Sequence, residues 1–307
     1  MKDQPKNIAA STHARLANAA RILGRPFGEI LQYYGMERFL YRLSKTQYAD
    51  SFILKGGLVF HSWDIPLRRS TKDIDFLGLL DNRKEIIYQV IAASISMPVP
   101  KNGIHFDPAS LTVQDAQVDA DRKGIRAKFL GYLGRAQMPM QIDFGFSDEL
   151  TSKAKIITMP TLLHDMAGPQ LKTYPVESVV AEKFHTMERF SDVPSRWNDY
   201  YDIWLISEHF EIDDRSLQKA IAKTFEKRAS AIPTGRPVSL TAAFGSKYGE
   251  NWKTFLKKSG LENTDINDFS LLVEMIWAFL EWPLQNLMIL KADKGHKHWI
   301  PGKRKWK

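Results

Sequence analysis

The chain of 307 residues is 44% hydrophobic and 25% charged, proportions of an ordinary globular protein long enough for two modest domains with cores. Its net charge of +8 favours anionic partners, although excess positive charge serves solubility equally well. No run reaches the roughly 18 apolar residues of a membrane span, the opening residues lack the apolar core of a signal peptide, and the absence of cysteine excludes disulfides, thiolate zinc sites and cysteine nucleophiles, which fits a cytoplasmic expectation.

Residues 8–48 read as two helices. Leu16, Ala19, Ile22 and Leu23 form an apolar stripe that Gly24-Arg25-Pro26 breaks. Ile30, Leu31, Tyr34, Met36, Phe39, Leu40 and Leu43 then recur at helical spacing, as in a layer packed on a sheet.

The stretch 52–77 is the chemical centre of the sequence. An apolar run ends in Gly56-Gly57, which opens a short helix, and Asp73-Ile74-Asp75-Phe76 follows with strand alternation. Positions two apart on a strand share a face, so Asp73 and Asp75 project side by side. Carboxylates that close repel unless cations or protons lie between them. A divalent cation, magnesium first, is the economical partner. The glycines add backbone amides that approach a phosphate closely, at a helix start whose dipole favours the anion. Taken alone, the Asp pair also reads as a solvated strand end, and Gly-Gly as a turn. Their order, with Arg68, Arg69 and Lys72 between them, strengthens the functional reading.

Residues 83–96 follow as an amphipathic helix, and 103–118 and 123–134 as antiparallel strands, the second carrying Ile125-Arg126-Ala127-Lys128-Phe129. The strand Met138 to Phe146 has one inward acid, Asp143, between Ile142 and Phe144. A two-metal phosphoryl-transfer site needs anionic ligands from more than one strand. Asp73, Asp75 and Asp143 meet that need if they converge, whereas Asp143 by itself reads as a strand-end acid.

Beyond residue 160 helical periodicity takes over, which divides the chain into 1–160 and 161–307. In the helix after Pro175, Lys183 sits at the edge of the buried stripe, where a lysine snorkels into water or reaches a phosphate. In the next helix Arg196, Asp199 and Asp202 lie three apart on one face, as in a surface ion-pair ladder or a site. Residues 211–290 read as a helical bundle. The tail KADKGHKHWIPGKRKWK sets basic residues around Trp299 and Trp306, a pattern that suits RNA stacking, although a frayed end from Lys303 onward is the preferred reading.

Four motifs in this order carry a resemblance: apolar-Lys55-Gly56-Gly57, Arg69-x-Thr71-x-Asp73-Ile74-Asp75, the strand Ile142-Asp143, and Ala181-Glu182-Lys183 followed by Arg196-x-x-Asp199-x-x-Asp202-Ile203. The set closely resembles the AbiEii/AbiGii family of nucleotidyltransferase-like toxins, to which the MenT toxins are related. The likeness runs to about residue 210. It implies an α+β fold, with a DNA polymerase β-like nucleotidyltransferase domain on a mixed sheet followed by an all-helical C-terminal domain. It implies a toxin of toxin–antitoxin or phage-defence systems that uses a nucleoside triphosphate with magnesium, or manganese in its place, to modify RNA such as a tRNA 3′ end. A cognate antitoxin protein is an implied partner. By position, Lys55, Gly56, Gly57, Arg69 and Thr71 would hold the triphosphate. Asp73, Asp75 and Asp143 would be metal ligands, and Lys183, Arg196 and Asp199 or Asp202 would complete the nucleotide site. Gly57 stands where the general nucleotidyltransferase signature has serine. A triphosphate-binding module without transfer, or a kinase-like transfer to protein, would use the same residues. Base preference, acceptor and oligomeric state are not written in the motifs.

Overall fold

The structure, a computed structural model, describes residues 7–63, 65, 69–119, 122–146, 150, 153–190, 196–262, 266–288 and 295–307. Arg68 lies outside the described residues. The chain divides into two compact units, Met1–Glu149 with Ala154–Tyr174, and Leu150–Lys153 with Pro175–Lys307. Among the described residues no helix is long and apolar enough to cross a membrane.

The first unit begins with helix α1 (Ile8–Leu23), capped by the Asn7 side chain, which accepts from the Ala10 amide. Gly24, at φ 62, closes it in the left-handed conformation. Helix α2 (Phe27–Leu43) follows and is buried along most of its length. Its polar side chains satisfy backbone groups of neighbouring segments: Arg42 donates to the carbonyls of Ile95 and Ile104, and Glu37 accepts from the Leu162 amide.

Next come strand β1 (Phe52–Lys55), the single-turn helix α3 (Val59–Ser62), β2 (Asp73–Gly78), α4 (Lys84–Ser96), β3 (Ile104–Asp119), β4 (Arg122–Leu133), β5 (Ala136–Gly145), β6 (Lys155–Thr158) and β7 (Gln170–Thr173). The seven strands form one mixed sheet in the order β3-β4-β5-β2-β1-β7-β6. β2 runs parallel to β5 and β1 parallel to β7; the other neighbours are antiparallel. The ribbon β6–β7 thus belongs to the first unit, although it reaches past the residue 160 taken from sequence as the division.

Strict alternation gives this sheet two unlike faces. Leu54, Ile74, Phe76, Ile125, Ala127, Phe129, Met140, Ile142 and Phe144 are buried in one core with Phe39 and Leu40 of α2 and with Ile87, Val90 and Ile91 of α4. Phe39 meets Phe129 with ring centroids 5.4 Å apart, and Phe76 stacks on Phe144 at 5.8 Å. The intervening residues of the same strands are polar and share the opposite face.

The second unit holds α5 (Val176–Arg189), α6 (Trp197–His209), β8 (Ile212–Asp213), α7 (Asp214–Lys227), α8 (Ala242–Lys247), α9 (Gly249–Lys258), α10 (Phe269–Met288), β9 (His298–Ile300) and β10 (Lys305–Trp306). The expectation of an all-helical unit is corrected here by a small antiparallel sheet, β10-β9-β8. The tail is not frayed either. Trp299 is buried, donating its indole N–H to the Ser207 carbonyl at 2.7 Å. Trp306 stacks on Phe279 at 5.9 Å and donates to the Phe279 carbonyl. Both indoles are spent on packing, so the tail's aromatics do not form a base-stacking surface. Replacing Trp299 with alanine is expected to cost about 3–5 kcal/mol, read as a fall in the urea midpoint for the second unit.

Candidate functional site

The polar face of the first sheet is where the first three sequence motifs meet. Strand register sets Asp75 beside Asp143 and Asp73 beside Gln141, across the parallel pair β2–β5. On the other side of β5, Arg126 of β4 lies opposite Asp143 and Lys128 opposite Gln141. On the other side of β2, Lys55 of β1 lies opposite Asp75. Residues in register share a face, so Asp73, Asp75 and Asp143 stand together on one surface. The sequence expectation that these acids share a face is met in the register, because Ile74, Ile142 and Phe144 are needed for the core beneath.

Arg126 is the residue that sequence reasoning missed. Its Nε donates to Asp143 Oδ1 at 2.6 Å and its Nη2 to Oδ2 at 2.8 Å, a bidentate pair, with Gln141 Nε2 3.3 Å from Oδ2. Asp143 is buried beneath it. The signal was present in the strand: Ile125, Ala127 and Phe129 alternate with Arg126 and Lys128, two cations on the face opposite the core.

Burial, and then the Asp143 charge, hold the Asp73 carboxyl above its ordinary range, against the pull of Arg126, Lys72 and Lys128. Arg126 is held still more firmly protonated by its bond to Asp143, and it also feels the charges of Asp73 and Asp75. A raised acid binds its proton more tightly in the folded chain than in the unfolded one. Its ionised form therefore costs stability above the raised value, and the penalty vanishes below the ordinary 3.8. Asp73→Asn is accordingly expected to melt higher than the parent at pH 7 in EDTA. The gap should close as pH falls through the folded-state value toward 3.8, which calorimetry across that range checks.

The glycine turn presses against these acids. Gly56 adopts φ +67, and a Cβ added there would lie 2.0 Å from Asp75 Oδ2. A Cβ on Gly57 would lie 2.9 Å from Thr71 Oγ1 and 3.1 Å from both terminal nitrogens of Arg69. The turn therefore has the Asp75 carboxylate on one side and the Arg69 and Thr71 side chains on the other. The Thr71 amide donates to the Tyr33 hydroxyl at 3.3 Å, which fixes the loop to α2. Lys55 Nζ lies 5.8 Å over the Tyr174 ring and 3.6 Å from where a Gly145 Cβ would sit. One expectation is corrected: Gly56–Leu58 is a tight three-residue turn leading into the four-residue α3, too short for a macrodipole of consequence. The side chains that bring positive charge to the turn are Arg69, beside Gly57, and Lys55, which precedes it.

Beside Asp73 opens a cavity of about 620 Å³, lined by Gly28, Glu29 and Gln32 of α2, by residues 70–73, and by Lys128 and Gln141 of the sheet. That volume accommodates a small molecule of nucleoside size.

The remaining candidate residues lie in the second unit and form their own cluster. Lys183 Nζ on α5 bonds Asp199 Oδ1 at 2.8 Å and Asp202 Oδ2 at 2.7 Å, both on α6. Arg196 Nε reaches Asp199 Oδ2 at 3.3 Å. The Lys183 side chain is only 13% exposed, so it does not snorkel into water; it turns in between the helices. Both acids are engaged, where sequence left the choice between them open, and Asp202 is buried rather than part of a surface ladder.

Comparison with known proteins gives a family and two distant folds. Over 86% of this chain and 98% of its own length, an H. pylori protein provisionally assigned as a nucleotidyltransferase aligns at TM-score 0.48 and 14% identity. JHP933 from Helicobacter pylori aligns at TM-score 0.46 and 13% identity, covering 81% of this chain and 89% of its own. No curated protein matches the sequence. The sequence profile of the nucleotidyl transferase AbiEii toxin family, of type IV toxin–antitoxin systems, matches residues 38–282. That span takes in both units and every motif named above, and the chain belongs to the AbiEii nucleotidyl transferase toxin family.

Proposed function

We propose that the polar face of the first unit transfers a nucleotide from a nucleoside triphosphate to a hydroxyl of RNA, a tRNA 3′ end being the acceptor the family likeness implies. The observation that carries this reading is the alignment of Asp73, Asp75 and Asp143 on adjacent strands, beside a glycine turn flanked by Arg69. The donor set fits a divalent cation: three carboxylates stand together, and Asp73 is raised in part by the Asp143 charge. Asp73 and Asp75 would hold the ion with one oxygen of Asp143, magnesium being the choice for carboxylate and phosphate oxygens and manganese a substitute. When bound, such an ion supplies charge neutralisation of the triphosphate and acidifies the attacking hydroxyl.

The chain's own residues supply position and charge. Gly56 and Gly57, lacking side chains, let backbone amides approach the phosphates, while Arg69, Thr71 and Lys55 contact their oxygens. Asp143 exchanges one of its Arg126 bonds to accept the proton of the attacking hydroxyl. That oxygen bonds the α-phosphorus, the bond to the bridging oxygen breaks, and pyrophosphate leaves. The cavity beside Asp73 takes a nucleoside, with Lys72 and Lys128 at its rim toward phosphate. The family likeness also implies Lys183, Arg196, Asp199 and Asp202 in nucleotide binding, and within the second unit these four form one cluster of two cations and two carboxylates.

Incubation with triphosphates labelled separately at α and γ, with magnesium, cellular RNA and cellular protein, tests the proposal. Label from the α position is expected in RNA, with pyrophosphate released. Label from the γ position in protein would replace it with a kinase-like reaction. Saturable triphosphate binding with no labelled acceptor would leave a binding module.

A further inference from the structure

A second cluster of ligating side chains stands in the second unit, outside every motif used so far. Asp213, His296 and His298 each offer a donor atom, and these atoms all lie within 4.8 Å of one another. We propose that Asp213, His296 and His298 bind one zinc ion that fastens the C-terminal strands to the start of α7, with the buried Asp214 carboxylate beside it.

The backbone builds the site before any ion arrives. Asp213 and His298 are register partners across β8–β9, and the Asp214 amide donates to the Lys297 carbonyl at 3.1 Å, extending the ladder. His296 and His298, two apart on an extended segment, share a side. Their rings lie 4.9 Å apart. His296 Nε2 contacts Asp213 Oδ2 and lies 3.6 Å from Asp214 Oδ1.

Asp214 is the second, independent observation. It is 1% exposed, and its Oδ1 is buried with no hydrogen-bond partner among the described residues. A buried carboxylate oxygen without a donor is unfavourable unless a cation takes that place. The other oxygens are held from behind: Asp213 Oδ1 accepts from the Ser216 amide at 2.7 Å, and Asp214 Oδ2 from Trp282 Nε1 at 2.9 Å. Outer bonds of this kind orient ligands for a metal. Two imidazoles and a carboxylate are donors that suit zinc rather than magnesium, and the Asp214 carboxylate adds negative charge next to His296. Both histidines are nearly half exposed, so their rings turn to close the donors around an ion without disturbing the core.

The test uses the full, untagged chain, stripped with EDTA and dialysed. Titration with zinc alone is expected to saturate at one equivalent at this site and to raise the melting temperature. His296→Gln and His298→Gln should each weaken that binding by about 100-fold while leaving the circular dichroism unchanged. Cobalt substituted for zinc should give the intense visible absorption of a tetrahedral ion in the parent and lose it in both variants. The double variant Asp73→Asn with Asp75→Asn should keep the zinc site, which separates it from any ion on the first unit. Absence of saturable zinc binding would overturn the proposal. So would binding unchanged by the histidine variants, or binding lost in the double aspartate variant.

Discussion

Asparagine in place of Asp75 should lower nucleotidyl transfer by about a thousandfold while leaving the fold unchanged. The substitution keeps the shape of the side chain and removes only its charge. Asp75 sits between the other parts of the face: Asp143 beside it on β5, Lys55 beside it on β1, and the Gly56 backbone against its Oδ2. In the proposed mechanism an ion at this face would then lack one of its anionic donors, and the α-phosphate the positive charge that would stabilise the transition state. The core beneath depends on Ile74 and Phe76, which the change does not touch. Rates of α-label transfer, with a thermal melt as the control, decide it. A folded Asp75→Asn protein that transfers at the parental rate would end the assignment of this face as the catalytic centre.

The second large effect is expected from one methyl group. Gly56→Ala places a Cβ where only 2.0 Å separates it from Asp75 Oδ2, on a backbone at φ +67. The left-handed conformation costs a non-glycine residue roughly 1–2 kcal/mol, and the carboxylate must in addition move by more than an ångström to clear the carbon. A displacement of that size at a reacting centre lowers rate by about a hundredfold. Gly57→Ala is the informative contrast, since its Cβ would meet only the flexible ends of Thr71 and Arg69, at 2.9 and 3.1 Å. It should lose less in kcat and more in KM, as expected for a phosphate contact. Steady-state kinetics of both variants checks the order. Equal losses, or a Gly56→Ala enzyme at full rate, would show that the turn does not set the position of Asp75.

What could be read from sequence was what rests on periodicity. The alternation Asp73-Ile74-Asp75-Phe76 fixed both the strand and its polar face, and Ile142-Asp143-Phe144 did the same for β5. The helical stripes of α2, α4 and α5 were legible for the same reason: a buried face repeats every three to four residues. The pairing of Asp143 with Arg126 was not, because partners 17 residues apart across a hairpin depend on register, which no local pattern states. The short helix after the glycines was legible, but its length of one turn was not, because a glycine turn reads alike whether four or fourteen helical residues follow. The tail misled because composition cannot distinguish a tryptophan awaiting a ligand from one already packed: Trp299 is buried and Trp306 packs against it, ring centroids 5.6 Å apart. His296 and His298 were passed over because Asp213 and Asp214, more than 80 residues earlier, complete their cluster only through β8–β9 pairing.

The parallel pair β1–β7 has a consequence for synthesis and truncation. Ile53 is matched with Lys172, and the Tyr174 amide closes on the Leu54 carbonyl at 2.9 Å. The strand that delivers the glycine turn therefore stays an open edge until some 120 further residues have left the ribosome, a high-contact-order closure that is slow and prone to mispairing. Fragments ending at 160 would expose that edge permanently and aggregate, whereas fragments ending just beyond Tyr174 carry every strand the sheet requires.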